Sequence, residues 1–405
     1  MAEPKWADGA FLDAMRQEAD PLADGVVQAL FNELGPEGVM AFHGGLIRRD
    51  GVPAESLPAS LQQVVESYID ESSRLPGWAD PQQIERAEEV LRSYGLVAYT
   101  ILACASLPEC YVDWRGVPVL YMSQRLTEHV HRRVVETSQF TMGVMSQDGL
   151  GAGGSGVIAA QKVRLMHASM RRLILLEPPE QAAQENLPDI ASVFRHANWM
   201  AELGAPINQE DMAFTLQTFA WVIVRGMRTL DCRLSPADEE AIIHVWNVAG
   251  HIMGIRPELM PSSVSEAEQL FLKLKTRLAG PSQEGQALMA ALLEFLHKAS
   301  PLRYLPETLI RDLIGDGTAD LLAIPTLSVK ERRQAEKWVG RIEEVNHLES
   351  GVLRGLPFLR AGAELLFDDL LDHLLRLPRG GERHLFELPT HLGMAWRRGA
   401  VAAGA

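Results

Sequence analysis

Apolar side chains recur at three- and four-residue spacing through most of the chain, the period of an α-helix with one buried face. The pattern is clearest over 84–104, 210–230, 237–252, 264–278, 286–298, 329–346 and 362–376. Breakers separate these runs: Pro108, a glycine cluster at 149–156, Pro178-Pro179, Pro206, Pro257, Pro261, Pro301 and Pro378. Ser235-Pro236 precedes ADEEAIIHVW, which reads as an N-cap, a first-turn proline and acids close behind. SVSEAEQL, from Ser263 to Glu266, has the form of a capping box. Strand-like runs are few, with GVPVLYM (116–122) and RLILLE (172–177) the best. They do not recur regularly, so neither a sandwich nor a repeated βαβ series is expected. No internal repeat of 20–50 residues is visible. The expectation is an all-α protein: one large domain over 1–405, with its core at 20–325 and a helical C-terminal extension at about 326–405.

Composition narrows the function classes. The chain has 405 residues, 47% of them hydrophobic and 22% charged, enough to bury a large core. Its formal charge of −15 argues against a nucleic-acid partner or an anionic membrane surface. No run of apolar residues is long enough to span a bilayer. The three cysteines, Cys104, Cys110 and Cys232, build no disulfide framework, and no CxxC occurs. MAEPKWADGAF lacks the basic and apolar regions of a signal peptide. As written, the chain reads as cytoplasmic, although a secreted chain trimmed of its leader would read the same.

Three constellations could carry chemistry. Gly151, Gly153 and Gly156 fit GxGxxG, with Glu177 downstream. The preceding SQFTMGVMSQD is too polar for a buried strand, so a glycine loop between two helices is the stronger reading. Three ExxH pairs, Glu128/His131, Glu294/His297 and Glu344/His347, have the spacing that di-iron carboxylate bundles use. Each lies in a polar context that also suits a solvated helix face. The third is QKVRLMHASMRRL, where Arg164, His167 and Arg171 project from one side of a helix among Leu165, Met166 and Met170. A neutral imidazole there can ligate a haem iron while arginines pair with propionates. A buried, hydrogen-bonded histidine on a basic helix has the same signature. His244 and His251 lie seven apart on one helix face and read as core or pocket wall, as do Phe219, Trp221 and Trp246.

Upstream, HRRVVETSQF places Arg133, Glu136 and Thr137 on one helical face. With VRLMHA 30 residues later, it resembles the latex-clearing-protein and MpaB-type rubber oxygenase family. Similar text occurs at DPLADGVV (20–27), 102–111, 204–227, 235–255 and 304–325. The resemblance implies an all-α fold with a globin-like core enclosing one haem b. It implies His167 as the iron ligand, Arg164 near the haem, and Arg133, Glu136 and Thr137 on the distal side. Arg171 as a propionate partner is a spacing inference. Rubber-cleaving members often carry a lysine where this chain has Glu136, an acceptor that can pair with Arg133 or act as a base. The implied reaction is oxidative cleavage of a carbon–carbon double bond by dioxygen in an apolar isoprenoid. Without an export signal, a smaller terpenoid fits better than an extracellular polymer. A di-iron oxidase and a non-catalytic haem or small-molecule binder are the alternatives.

Overall fold

The structure, a computed structural model, describes residues 3–48, 57–125, 137, 140–175, 199, 201–299, 304–337 and 339–340. Among these residues there is no β-strand, only an isolated bridge between Asp113 and Ala279. The chain begins with α1 (Gly9–Gln17), where Asp8 accepts a hydrogen bond from the Ala10 N–H as N-cap. Next comes α2 (Pro21–Arg48), broken by Gly35 at φ 63°, a left-handed conformation that glycine adopts at little cost. After α3 (Ala59–Ser72) and α4 (Pro81–Ser93), α5 (Gly95–Ile101) widens into a five-residue π-helical stretch, Leu102–Ser106, before α6 (Leu107–Tyr111).

Both strand-like runs are helical. GVPVLYM falls in α7 (Val117–Arg125), and RLIL forms the last turn of α8 (Ser155–Leu175). Their buried β-branched residues, Val117, Val119 and Ile174, fit a helix face packed on the core as readily as a strand, so tertiary context overrides local preference. The second half continues with α9 (Gln209–Phe219), α10 (Trp221–Thr229), α11 (Pro236–Ile252), α12 (Val264–Leu278), α13 (Gln283–Ala299), α14 (Leu305–Ile314) and α15 (Asp316–Leu321). At Ser235 the capping box is complete, with Asp238 returning the hydrogen bond. At Ser263 only half forms: its hydroxyl accepts from the Glu266 N–H, while the Glu266 carboxylate accepts from Ser262 instead.

The main core gathers α4 to α6 and α9 to α14, with Trp246, Phe214 and Phe271 fully buried and the two phenylalanine rings stacked at 5.6 Å. A smaller apolar cluster joins α2 and α3 to Leu165 and Ala168 of α8. Helix α8 therefore lies between two cores: Val157 and Ala160 face the larger, Leu165 and Ala168 the smaller. Among the described residues, no single helix is long and apolar enough to cross a membrane. Residues 341–405, most of the expected C-terminal extension, lie outside the described set.

Candidate functional site

The glycine segment sets the relation between the two stretches that carry the candidate residues. Helical residues 140–145 lead into it and α8 leaves it. The Gly156 N–H donates to the Gly149 carbonyl at 2.8 Å. A Cβ on Gly149 would lie 2.2 Å from the Gly143 carbonyl oxygen, and one on Gly156 would lie 2.8 Å from both that oxygen and the Val144 Cα. Backbone meets backbone here, which only glycine permits. The segment is the expected glycine turn between two helical stretches rather than a phosphate-cradling GxGxxG: residues 140–145 before it are helical, and Gly149 and Gly156 are the glycines that pack them against the start of α8.

An apolar recess, about 260 Å³ of empty space counted with its open mouth, lies beside this junction. Thr141 and Met145 form one wall, Tyr99 and Leu102 another, and Phe219 and Trp246 a third. The π-helical widening at Leu102 belongs to this wall, a local irregularity that recurs at functional sites. Phe219 lies 5.1 Å from Trp246 between ring centroids, and Phe140 lies 6.2 Å from Trp246 and 6.5 Å from Phe219. Phe219 and Trp246 thus pack against Phe140, at the start of the helical residues 140–145. Thr137 is helical and half-buried, and its carbonyl accepts from the Thr141 hydroxyl at 2.8 Å. Arg133 and Glu136 lie outside the described residues.

His167 is half-buried on α8, one turn beyond Val163, which packs against the main core. Its two flanking arginines point elsewhere. Arg164 makes a two-pronged ion pair with Asp20, 2.6 Å from Nε and 2.8 Å from Nη2, and donates from Nη1 to the Ile252 carbonyl at 3.0 Å. Burial opposes the charge on Arg164, but the Asp20 hydrogen bonds and charge outweigh it, holding the guanidinium above its usual range. Gly254, at φ 82°, leaves room for it: a Cβ there would lie 2.7 Å from the guanidinium. Arg171 pairs with Asp24 at 2.8 Å and donates to the Ile207 carbonyl at 3.2 Å. Positions 164 and 171 lie about 20° apart around the helix, with His167 about 60° from the first and about 40° from the second. Both arginines therefore bind α8 to the start of α2, through Asp20 just before it and Asp24 within it. Arg171 Nη2 is buried and has no hydrogen-bond partner among the described residues.

The other candidates resolve into structural roles. Glu294 pairs with Lys298 at 2.7 Å, and His297 with Glu307 at 2.8 Å, so this ExxH pair does not converge on one point. The pairs at 128/131 and 344/347 lie outside the described residues, among which no group of three or more His, Cys, Asp or Glu could hold a metal. His244 accepts from the Asp80 N–H at 2.9 Å, His251 lies 3.2 Å from the Arg74 carbonyl, and both meet Trp78 edge-on. Burial pushes the Cys104 thiol up to about 12, leaving it unreactive.

The chain pattern did not disclose a buried ionic cluster at the start of α9. Glu210, fully buried, joins Arg16 and Arg277, each at 2.6 Å. Arg16 also reaches Asp211 at 2.7 Å, and Asp113 is buried nearby. The only local sign was Asn208, the N-cap that accepts from the Asp211 N–H. The partners are up to 195 residues apart.

Comparison with known proteins agrees with this architecture. The Rubber oxygenase of Streptomyces sp. (strain K30) is 23% identical over 327 residues, which span 80% of this chain and 74% of that protein. A solved structure of Latex Clearing Protein in the closed state superposes with a TM-score of 0.67 at 22% identity, covering 93% of this chain and 95% of that one. The sequence profile described as ER-bound oxygenase mpaB/B'/Rubber oxygenase, catalytic domain, matches residues 96–343, a span that contains the glycine junction, His167 and all of the cavity lining but Leu91. With more than half of its length in that match and the helical fold in agreement, the chain belongs to the mpaB/rubber oxygenase catalytic domain family.

Proposed function

We propose that this protein is a haem b-dependent oxygenase that uses dioxygen to cleave a carbon–carbon double bond in an apolar isoprenoid, yielding two carbonyl products. The observation that carries the reading is the juxtaposition of the aromatic-lined cavity, the helical residues 140–145 and the His167 helix, tied together by the glycine junction.

The residues present suit a haem. His167 offers a half-buried imidazole with Val163 and Met170 on neighbouring turns, and a haem needs only one such ligand. Arg171 Nη2 is a buried donor left open for a carboxylate such as a propionate. His167 would hold the iron and Arg171 a propionate, while Arg164, already matched by Asp20, would hold α8 in place. When bound, the haem supplies activation of dioxygen. The chain's own groups do the rest. Phe219, Trp246 and Met145 exclude water and hold the alkene. A Glu136 carboxylate oxygen accepts the allylic proton beside the reacting double bond, with Arg133 orienting that carboxylate. Thr137 supplies a hydroxyl donor one helical turn from the cavity wall.

The purified protein should show a strong Soret absorption, and His167→Ala should abolish haem retention. Full haem occupancy in that variant would remove the ligand assignment. Glu136→Gln should lower alkene-dependent oxygen consumption by about a hundredfold, the usual range for loss of a general base. Unchanged consumption would refute the base role.

A further inference from the structure

The connector between α3 and α4, residues 74–80, is held to α11 by two histidines that make opposite demands on a proton. His244 Nε2 accepts from the Asp80 N–H at 2.9 Å, so that nitrogen carries no proton. Two turns later, His251 Nε2 lies 3.2 Å from the Arg74 carbonyl, an acceptor, so that nitrogen carries one. Trp78 meets both rings edge-on, at 5.6 and 6.3 Å between centroids, and is 45% exposed. Neutral rings satisfy both bonds. A charged ring satisfies only the bond of His251, because an imidazolium is a donor at both nitrogens.

We propose that His244 is an acid-sensitive latch: a proton taken up at Nε2 turns the acceptor into a donor, breaks the bond to the Asp80 N–H and frees Trp78, Ala79 and the first turn of α4 from α11, while His251 keeps its hold on Arg74. The surroundings fix the direction. Burial holds the His244 imidazole below its usual range, against the pull of the Asp80 carboxylate. That carboxylate is already engaged, by the Gln82 N–H at 2.9 Å and by Gln83 Nε2 at 3.3 Å. On α11 itself Glu240, one turn before His244, accepts from the Val264 N–H. Burial lowers His251 too, opposed by its bond to the Arg74 carbonyl and helped by the charge of Arg164. A histidine whose folded value is depressed stabilises the fold above its unfolded value of about 6.5, and that contribution is lost as pH falls to the folded value. The latch is therefore closed at neutral pH and opens in mild acid. Its place gives it reach: α4 and α11 pack together and supply Leu91 and Trp246 to the recess, so the latch pins the start of one helix of that pair.

The test is hydrogen exchange of the full-length protein, read by mass spectrometry at peptides spanning 75–83, from about pH 8 to about pH 4.5. Comparing wild type with His244→Gln at each pH cancels the intrinsic pH dependence of exchange. Glutamine puts an amide oxygen near the place of Nε2 and does not titrate. The two proteins should exchange alike at the alkaline end. In acid the wild type should exchange at least about fivefold faster, with a midpoint below about pH 6.5. His251→Gln should keep that acid response. The same response in His244→Gln as in wild type overturns the proposal, and so does its loss in His251→Gln. A second readout does not depend on glutamine replacing the bond. The nitrogen resonance of His244 Nε2, assigned among the twelve histidines by its absence from His244→Gln, should be that of an unprotonated nitrogen at the alkaline end and titrate together with the exchange of the wild type. A protonated Nε2 at the alkaline end, or a ring that titrates apart from the exchange, overturns the proposal as well.

Discussion

Replacing Asp113 by asparagine should make the protein more stable at pH 8 and leave it nearly unchanged at pH 4. Asp113 is 4% exposed and shares its surroundings with Glu210 and Asp211, so three buried carboxylates face the Arg16 and Arg277 guanidiniums. Arg277 is further divided, since it also pairs with Asp13 at 2.6 Å. Burial lifts Asp113 from 3.8 to about 6, against the opposing pull of the Gly116 and Arg115 N–H groups and of Arg16. Asp211 is raised as well, by burial and then by the charge of Asp113. A carboxyl group whose folded-state pKa is raised stabilises the fold fully below its unfolded value, and that contribution is lost as pH rises through the folded value. The window here runs from about pH 4 to about pH 6. At about 1.4 kcal/mol per pH unit, holding Asp113 ionised in the fold at pH 8 costs on the order of 3 kcal/mol. Asparagine keeps a carbonyl oxygen for the Arg115 and Gly116 N–H groups, which Asp113 Oδ1 now accepts at 3.1 and 3.0 Å. Urea unfolding followed by circular dichroism at both pH values measures the effect. If Asp113→Asn is destabilising at pH 8, or its effect is the same at both pH values, the cluster does not carry the excess negative charge that this reasoning assigns to it.

Two further perturbations probe the frame of the site. Asp20→Ala should destabilise the protein by about 3–5 kcal/mol, because it leaves the buried Arg164 charge unpaired, and Arg164→Met in the same chain should recover most of that loss. Thermal unfolding of the single and double variants compares them, and a double variant as unstable as the single would contradict the argument. Gly156→Ala should destabilise by about 1–3 kcal/mol, since its Cβ would meet the backbone of Gly143, Val144 and Gly149 at 2.8–2.9 Å. Wild-type stability in that variant would show that the junction between residues 140–145 and α8 is looser than its contacts imply.

The helices were legible because their causes are local. Apolar spacing, the Ser235 cap and the breakers between runs act within a few residues, and α11 and α12 begin where those signals place them. The two strand-like runs misled for the same reason: a short apolar segment has no local mark that separates strand from helix, and GVPVLYM and RLIL joined helices that bury Val117, Val119 and Ile174. The glycine cluster was legible as a turn, but its role in bringing residues 140–145 against α8 needed the backbone approach distances.

Charge partners show the limit of sequence most clearly. Arg164, His167 and Arg171 were rightly placed on one helix, yet a helix surface does not say what it faces. The fold sets Asp20 and Asp24, 144 and 147 positions away, against the two arginines. The same holds for Arg16 with Asp211 and for the nine residues that meet around the cavity. The sequence alone determined helical content, helix starts and the residue types available for chemistry, because propensity, capping and amphipathic period operate over one or two turns. Tertiary structure alone decided which charges are neutralised, which N–H is left unpaired and where a cavity remains, because burial and long-range pairing exist only once the helices have packed.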